Sequence, residues 1–427
     1  MKICFLALFF LLVVPLGAQE NFREWTDQSG RKLSAKLVGL DESWGIDGLV
    51  KLELENGRIV SFPVSKLSEA DRKNIAGWEL RDPPSVKIDG LLGPKNPVTD
   101  SIFLRRAYLK LAGRVPIQAE RRSFQESSHP EKRSGLVNQL LNSPEFNEHL
   151  FHYLSPLFRT DPKRQLQVPY PHCENENGKK EEAKLRLFQN PNPVPYQNWL
   201  KSQIAGNRPW DELVTEVLTA TGSYSENPAV GYFVPERWSS LIDPAPIMTA
   251  FAGVEITCAR CHNHPHTEIT QLDFYRIASF FGKTRLKSSE AGTLAADIII
   301  SDRHLRRVAL PPNYRYANGA PYQKVSPGMY FGKVVKEDSF PTYRAAFADW
   351  LTDSRNPRFT INIVNRLCVF AFGKPLADPP HFLPGRLESN VENYRLLQYL
   401  EKLMIASNYE LKTFLSHLYH SKTFIGE

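Results

Sequence analysis

Apolar and polar residues alternate along the first part of the chain. Lys32–Val38, Leu49–Leu54 and Arg58–Phe62 each repeat with a period of two, which predicts short strands buried on one face. Asn56-Gly57 lies between the second and third runs and predicts a tight hairpin. Leu67-Ser68-Glu69-Ala70-Asp71 then starts a short helix, with Ser68 as its cap. A sheet this small must bend strongly, so residues 22–78 read as an SH3-like β-barrel.

A linker over 79–99 with Pro83, Pro84, Pro94 and Pro97 separates this region from one of helical period. Asp100 caps a helix carrying Phe103, Leu104, Ala107, Tyr108 and Leu111, and Gly113-Arg114-Val115-Pro116 ends it. Leu136, Val137, Leu140 and Leu141 mark a second helix, and Ser143-Pro144 opens a third with Phe146, Leu150 and Tyr153. Residues 155–195 hold seven prolines, Cys173 and the charged run Lys179-Lys180-Glu181-Glu182, and predict a long loop or insertion. Helices resume at Tyr196–Ile204 and Trp210–Thr219. Pro244 and Pro246 open another helix through Ile247, Ala250, Phe251 and Val254, and Asp273–Phe281 forms the next.

Residues 284–337 change character, with Ile298-Ile299-Ile300, Pro311-Pro312 and many tyrosines, and predict strands and loops. Helical patterning returns in Tyr343–Leu351, Phe359–Phe372, Glu392–Ala406 and Leu411–Tyr419. The expected architecture is a mainly α multidomain protein: the small N-terminal barrel, a helical region over 86–283, a β and loop connection over 284–337 and a C-terminal helical domain over 338–427. A chain of 427 residues exceeds what one hydrophobic core normally holds, which agrees with several domains.

Lys2, the apolar run Ile3–Val14 and the small-residue end Gly17-Ala18 make residues 1–18 a cleavable signal peptide. The chain is therefore expected to be exported to the periplasm or cell envelope. No later stretch reaches about 18 uninterrupted apolar residues, so no transmembrane segment is expected after cleavage. A formal net charge of +7 is spread along the chain and leaves no nucleic-acid footprint. Basic clusters such as Arg303, Arg306 and Arg307 read as solvated loop charge. There is no Ser-His-Asp order, Gly-rich phosphate loop or persuasive carboxylate pair.

Chemistry concentrates in Thr257–His266, where Cys258, Cys261 and His262 form a Cys-x-x-Cys-His run followed by His264 and His266. Thiols three apart share one face of a helical turn and can form thioethers to a single haem, with His262 as proximal iron ligand. A second reading uses Cys258, Cys261, His262 and His264 as ligands for zinc or another transition metal, with Glu268 or Asp273 as a base for a hydrolase. A third pairs Cys258 with Cys261 in a disulfide of a non-catalytic envelope protein. For haem c, the distal position is open to Met248, Met329, Met404, His264 or no residue. The redox partner is not specified by the sequence. His149 and His152 share one helix and could be ligands but read better as packed or surface histidines, and His417 and His420 lack partners at convincing spacing.

The order of several phrases carries a resemblance. Ile88-Asp89-Gly90-Leu91-Leu92, Phe103–Leu109, Gly113-Arg114-Val115-Pro116, Asn207-Arg208-Pro209-Trp210-Asp211 and Cys258–Pro265 are similar to the planctomycete-type secreted cytochrome-like domain. Asp349-Trp350-Leu351-Thr352, Asn356-Pro357-Arg358-Phe359 and Ile363-Val364-Asn365-Arg366 resemble its companion C-terminal domain. Trp25, Gly30, Ala35, Gly57 and Leu67–Asp71 resemble an SLA-type homology domain, which implies a peptide or protein partner for the N-terminal barrel. The resemblance implies a helical cytochrome-like region, export, and a haem held by Cys258, Cys261 and His262.

Overall fold

The computed structural model describes residues 22–40, 49–79, 83–92, 97–160, 192–236, 241–288, 298–302, 308–329, 340–378 and 394–426. The expected signal peptide, Cys173, the charged run at 179–182 and Arg303, Arg306 and Arg307 lie outside the described residues. Two compact units meet in sequence between Pro83 and Pro84.

The first unit is an antiparallel meander of β1 (Arg23–Thr26), β2 (Lys32–Leu40), β3 (Leu49–Leu54) and β4 (Ile59–Pro63), followed by α1 (Glu69–Glu79). Alternation decides its burial: Trp25, Ala35, Leu37, Val50 and Leu52 are buried, and Val64, Leu67 and Ile75 join the same core. Each large apolar side chain buried here contributes roughly 1.5–3 kcal/mol. The Trp25 indole N–H is not orphaned, because it donates to the Ala35 carbonyl at 2.9 Å. Gly57 supplies the positive φ (77°) of the hairpin turn. Ser68 caps α1 as expected, accepting from the Asp71 N–H at 3.2 Å. The Asp71 carboxylate accepts from the Thr26 N–H at 2.7 Å and pairs with Arg23, tying the helix to β1. Among the described residues the four strands do not close into a barrel. β1 and β4 remain the two ends of an open sheet, and a single bridge from Asp27 to Leu67 follows β4.

The second unit is mainly helical. Its elements are α2 (Pro84–Leu92), α3 (Asp100–Ala107), α4 (Gln118–Glu126), α5 (Lys132–Leu141), α6 (Pro144–Leu154), α7 (Val194–Ala205), α8 (Trp210–Thr219), β5 (Gly222–Ser223), α9 (Ala245–Ile247) and α10 (Gln271–Ala278). There follow β6 (Arg285–Ser288), β7 (Ile298–Ser301), α11 (Tyr343–Thr352), α12 (Pro357–Phe372), α13 (Tyr394–Ala406), α14 (Leu411–Tyr419) and α15 (Lys422–Ile425). The three strands form one small antiparallel sheet, ordered β5-β7-β6. No helix among the described residues is long and apolar enough to cross a membrane.

One expectation changes. The Pro-rich linker over 79–99 contains α2: Pro84 sits in the first turn, where a missing N–H costs nothing, and Ile88 is fully buried. The described residues from Phe340 onward fall in the same compact unit as those from Pro84. Asp89 of α2 accepts from the N–H groups of Lys422 and Thr423 at 2.7 and 2.8 Å, so it caps the last helix. Arg133 donates to the carbonyls of Ile425 (2.9 Å), Gly426 (3.1 Å) and Val98 (2.8 Å), and Arg106 reaches Phe424 O at 2.9 Å. The last turn of a helix leaves carbonyls without internal donors, and these guanidinium groups satisfy them. The end of the chain is thereby stitched to the beginning of its unit.

Candidate functional site

The approach to the cysteine motif is set by backbone geometry. α9 runs into a π-helical turn, Met248–Ala252, and Gly253 ends it with a left-handed φ of 64°. A side chain at that position would be strained, which is why a glycine stands there. The motif therefore does not ride on the end of that helix. It occupies a separate 3-10 turn, Thr257–Arg260.

Ile256 and Ala259 are fully buried and pin the turn, while Cys258, Cys261 and His262 are exposed. Both thiols are free, so the disulfide expected under the third reading is not formed. The N–H groups of Cys261 and His262 both donate to Cys258 O, each at 3.2 Å, which keeps the two cysteines and the histidine on one tight loop. Cys368 is a third free thiol, buried in α12, where burial pushes its pKa up to about 12.

The two imidazoles beside the cysteines differ in tautomer. His262 Nδ1 lies 2.8 Å from the Asn263 carbonyl oxygen; a carbonyl only accepts, so Nδ1 carries the proton and Nε2 keeps its lone pair. His264 Nδ1 accepts from the His266 N–H at 3.2 Å, which puts the proton of a neutral ring on Nε2. The two rings are thus held by Nδ1 contacts of opposite sense, to a carbonyl acceptor at His262 and to a backbone N–H donor at His264.

Asn263 is the hub of the loop. Its N–H donates to Tyr316 Oη at 2.9 Å, and its Oδ1 accepts from the Gln271 N–H at 2.9 Å. Gln271 in turn donates through Nε2 to Arg260 O at 3.0 Å. Asp273, considered above as a base, is already used in the capping box of α10. It accepts from the Thr270 N–H at 2.9 Å and from Thr270 Oγ1 at 2.6 Å. Glu268 is exposed. Behind the loop, Arg260 pairs with Asp243 at 3.2 Å, and Asp243 Oδ1 accepts from the Ala245 N–H at 2.9 Å. Burial raises the Asp243 pKa, opposed by that N–H and by the Arg260 charge. The Asp243 N–H leads on to Glu236 at 3.4 Å, whose fully buried carboxylate pairs with Arg159 at 2.7 Å.

Sequence reasoning missed Asn263, Gln271, Tyr316 and Asp243 as partners of the motif. Their signals were weak: a run of tyrosines and a polar residue beside a histidine have no periodicity that assigns them to a site.

Other candidates fall elsewhere. Met248 and Met404 are fully buried core side chains, and Met329 is half-buried. His149 packs on the Phe370 ring, centroids 4.9 Å apart, and burial lowers its pKa. His152 pairs with Glu148 at 3.0 Å. His420 Nδ1 donates to Ser416 O at 2.8 Å within α14 and its cap. Burial also lowers the pKa of His417. Among the described residues no three His, Cys, Asp or Glu side chains converge as a metal site, so Cys258, Cys261, His262 and His264 are not gathered as a tetrahedral set. The apolar side chains on either side of the motif, Phe251 before it and Phe274 and Ile277 on α10, are turned into the protein core.

What the turn offers is two free, exposed thiols on a short loop and an adjacent imidazole with an available Nε2. These donor types, two thiols and an imidazole, are those a covalently attached haem uses.

The protein is thus a two-unit chain with a sheet unit and a large helical unit bearing an exposed Cys-x-x-Cys-His turn. Residues 89–286 match the family model PSCyt2, a protein of unknown function (DUF1549), and residues 343–426 match PSD1, a protein of unknown function (DUF1553). The two matches stand in the order that the resemblance implied, and neither covers residues 22–78. No curated protein and no solved structure matches the chain.

Proposed function

We propose that the protein is an exported c-type haem protein that transfers single electrons in the periplasm or cell envelope. Cys258 and Cys261 would hold the haem as thioethers, and His262 would ligate its iron through Nε2. The observation that carries this reading is the contact of His262 Nδ1 with the Asn263 carbonyl oxygen at 2.8 Å, which orients the ring and leaves Nε2 outside that contact. Two exposed free thiols on the same turn support it. Bound haem supplies one-electron redox chemistry. The chain's own part is to fix the ring of His262, present both sulfurs to the attachment machinery and hold the loop through Asn263, Gln271 and Tyr316. Residues 22–78 we read as an SH3-like module of the SLA-type homology kind, which binds a peptide or protein partner.

A pyridine haemochrome spectrum tests the assignment on protein made in a host that matures c-type cytochromes. A c-type band that disappears in Cys258→Ala and Cys261→Ala is expected. Stoichiometric zinc with no such band would replace it with the metal reading.

A further inference from the structure

The residues matched by PSD1 have a physical role with respect to the cysteine turn. α12 packs its buried Asn362 and Arg366 against the π-helical turn Met248–Ala252. The N–H groups of Gly253 and Val254 both turn back to Met248 O, which leaves the carbonyls of the residues after Met248 without that partner. Asn362 Nδ2 donates to Ala250 O at 2.7 Å, and Arg366 Nη2 donates to Thr249 O at 3.1 Å. The two side chains are locked to each other, since Arg366 Nε donates to Asn362 Oδ1 at 3.1 Å. Tyr153 of α6 holds the Arg366 carbonyl at 2.6 Å from the other direction. The two carbonyls gripped in this way belong to the π-helical turn itself, four and three residues before Gly253, where the chain turns toward Cys258.

We propose that the C-terminal segment, through Asn362 and Arg366, is the positioning element of the cysteine turn. The pair takes up the orphan carbonyls of the π-helical turn, fixes the direction in which the chain leaves it and so sets where Cys258, Cys261 and His262 stand. This gives residues 343–426 a function in the attachment step without placing any of them among the ligands. It rests on the haem reading only for one of its two readouts.

The test uses the full chain with Asn362→Leu, Arg366→Met and the conservative Arg366→Lys, whose ammonium still donates to Thr249 O. Hydrogen exchange at residues 253–262 is expected to quicken about 5- to 30-fold in the first two variants, as loss of one or two buried hydrogen bonds implies, with recovery in Arg366→Lys. The fraction of chain carrying haem falls in parallel. Unchanged exchange in a folded variant overturns the proposal, and so does faster exchange with wild-type haem attachment. If the wild-type chain takes no haem, the alkylation rates of Cys258 and Cys261 by iodoacetamide give the second readout. A severalfold change in the variants supports the positioning role, and identical rates overturn it. Should Arg366→Met fail to fold, Asn362→Leu, which keeps the number and branching of side-chain heavy atoms, carries the test.

Discussion

Arg260, which stands between the two cysteines, pairs at 3.2 Å with Asp243, a residue 17 positions earlier that also accepts from the Ala245 N–H at the entry to α9. One carboxylate therefore does two things, and two substitutions separate them. Asp243→Ala loses both the cap and the ion pair and is expected to cost about 2–3 kcal/mol. Asp243→Asn keeps an acceptor for Ala245 and is expected to cost about 1 kcal/mol. Urea midpoints at constant m-value measure the order; equal costs would show that the cap contributes nothing.

A buried ion pair far from the motif gives a larger effect. The Arg344 side chain is fully buried and pairs with Asp302 at 2.6 Å, while its Nη1 donates to Leu218 O and Ala220 O, each at 3.0 Å. Thr284 Oγ1 adds a 2.7 Å bond to the same Asp302 carboxylate. Asp302→Ala strands a charge in the core and is expected to cost about 3–5 kcal/mol. Denaturant unfolding checks it, and a loss below about 1 kcal/mol would mean that water reaches Arg344.

The pH dependence of stability has one identifiable source in α13. Burial raises the Glu401 carboxyl pKa from 4.5 to about 8, and the Lys402 charge offsets this only in part. The unfolded chain loses this proton near its ordinary value, while the folded chain keeps it. Between pH 4.5 and about 8 the folded state therefore binds the extra proton, and stability from this group falls as pH rises through that window. Glu401→Gln is expected to flatten the slope of stability against pH in that range. An unaltered slope in the variant would assign the dependence to other groups.

Residues 421–426 act as a clasp. Removing residues 421–427 would orphan Asp89, unpair the Arg133 guanidinium from Ile425 O and Gly426 O, and uncover Phe103, whose ring meets Phe424 edge-on at 6.5 Å. Loss of one buried aromatic alone costs about 3–5 kcal/mol. The truncated chain is expected to show a clearly lower unfolding midpoint by circular dichroism, and an unchanged midpoint would contradict the clasp.

Periodicity made much of this fold readable. Strands with alternate burial, as at Val50 and Leu52, and helices with apolar stripes, as at Leu213, Val214, Val217 and Leu218, stand where the pattern put them. What it could not reveal were contacts made by single polar side chains across long sequence distances. Asp89 capping Lys422 and Asn362 gripping Ala250 leave no repeat to read, and they are what joins the two expected helical domains into one unit. Local backbone geometry was equally hidden: Pro84 read as linker where it starts a helix, and Gly253 separates the motif from the helix that precedes it. At the site, the cysteines and His262 were plain from spacing. The distinction between His262 and His264 needed the hydrogen bonds of each Nδ1.

The most direct test of the haem assignment is the intact mass of the mature chain produced in a host competent for cytochrome c maturation. The account predicts the polypeptide mass plus one haem, with the increment lost when Cys258 and Cys261 are both replaced by alanine. A wild-type chain at the mass of its polypeptide alone, isolated from such a host, would contradict it.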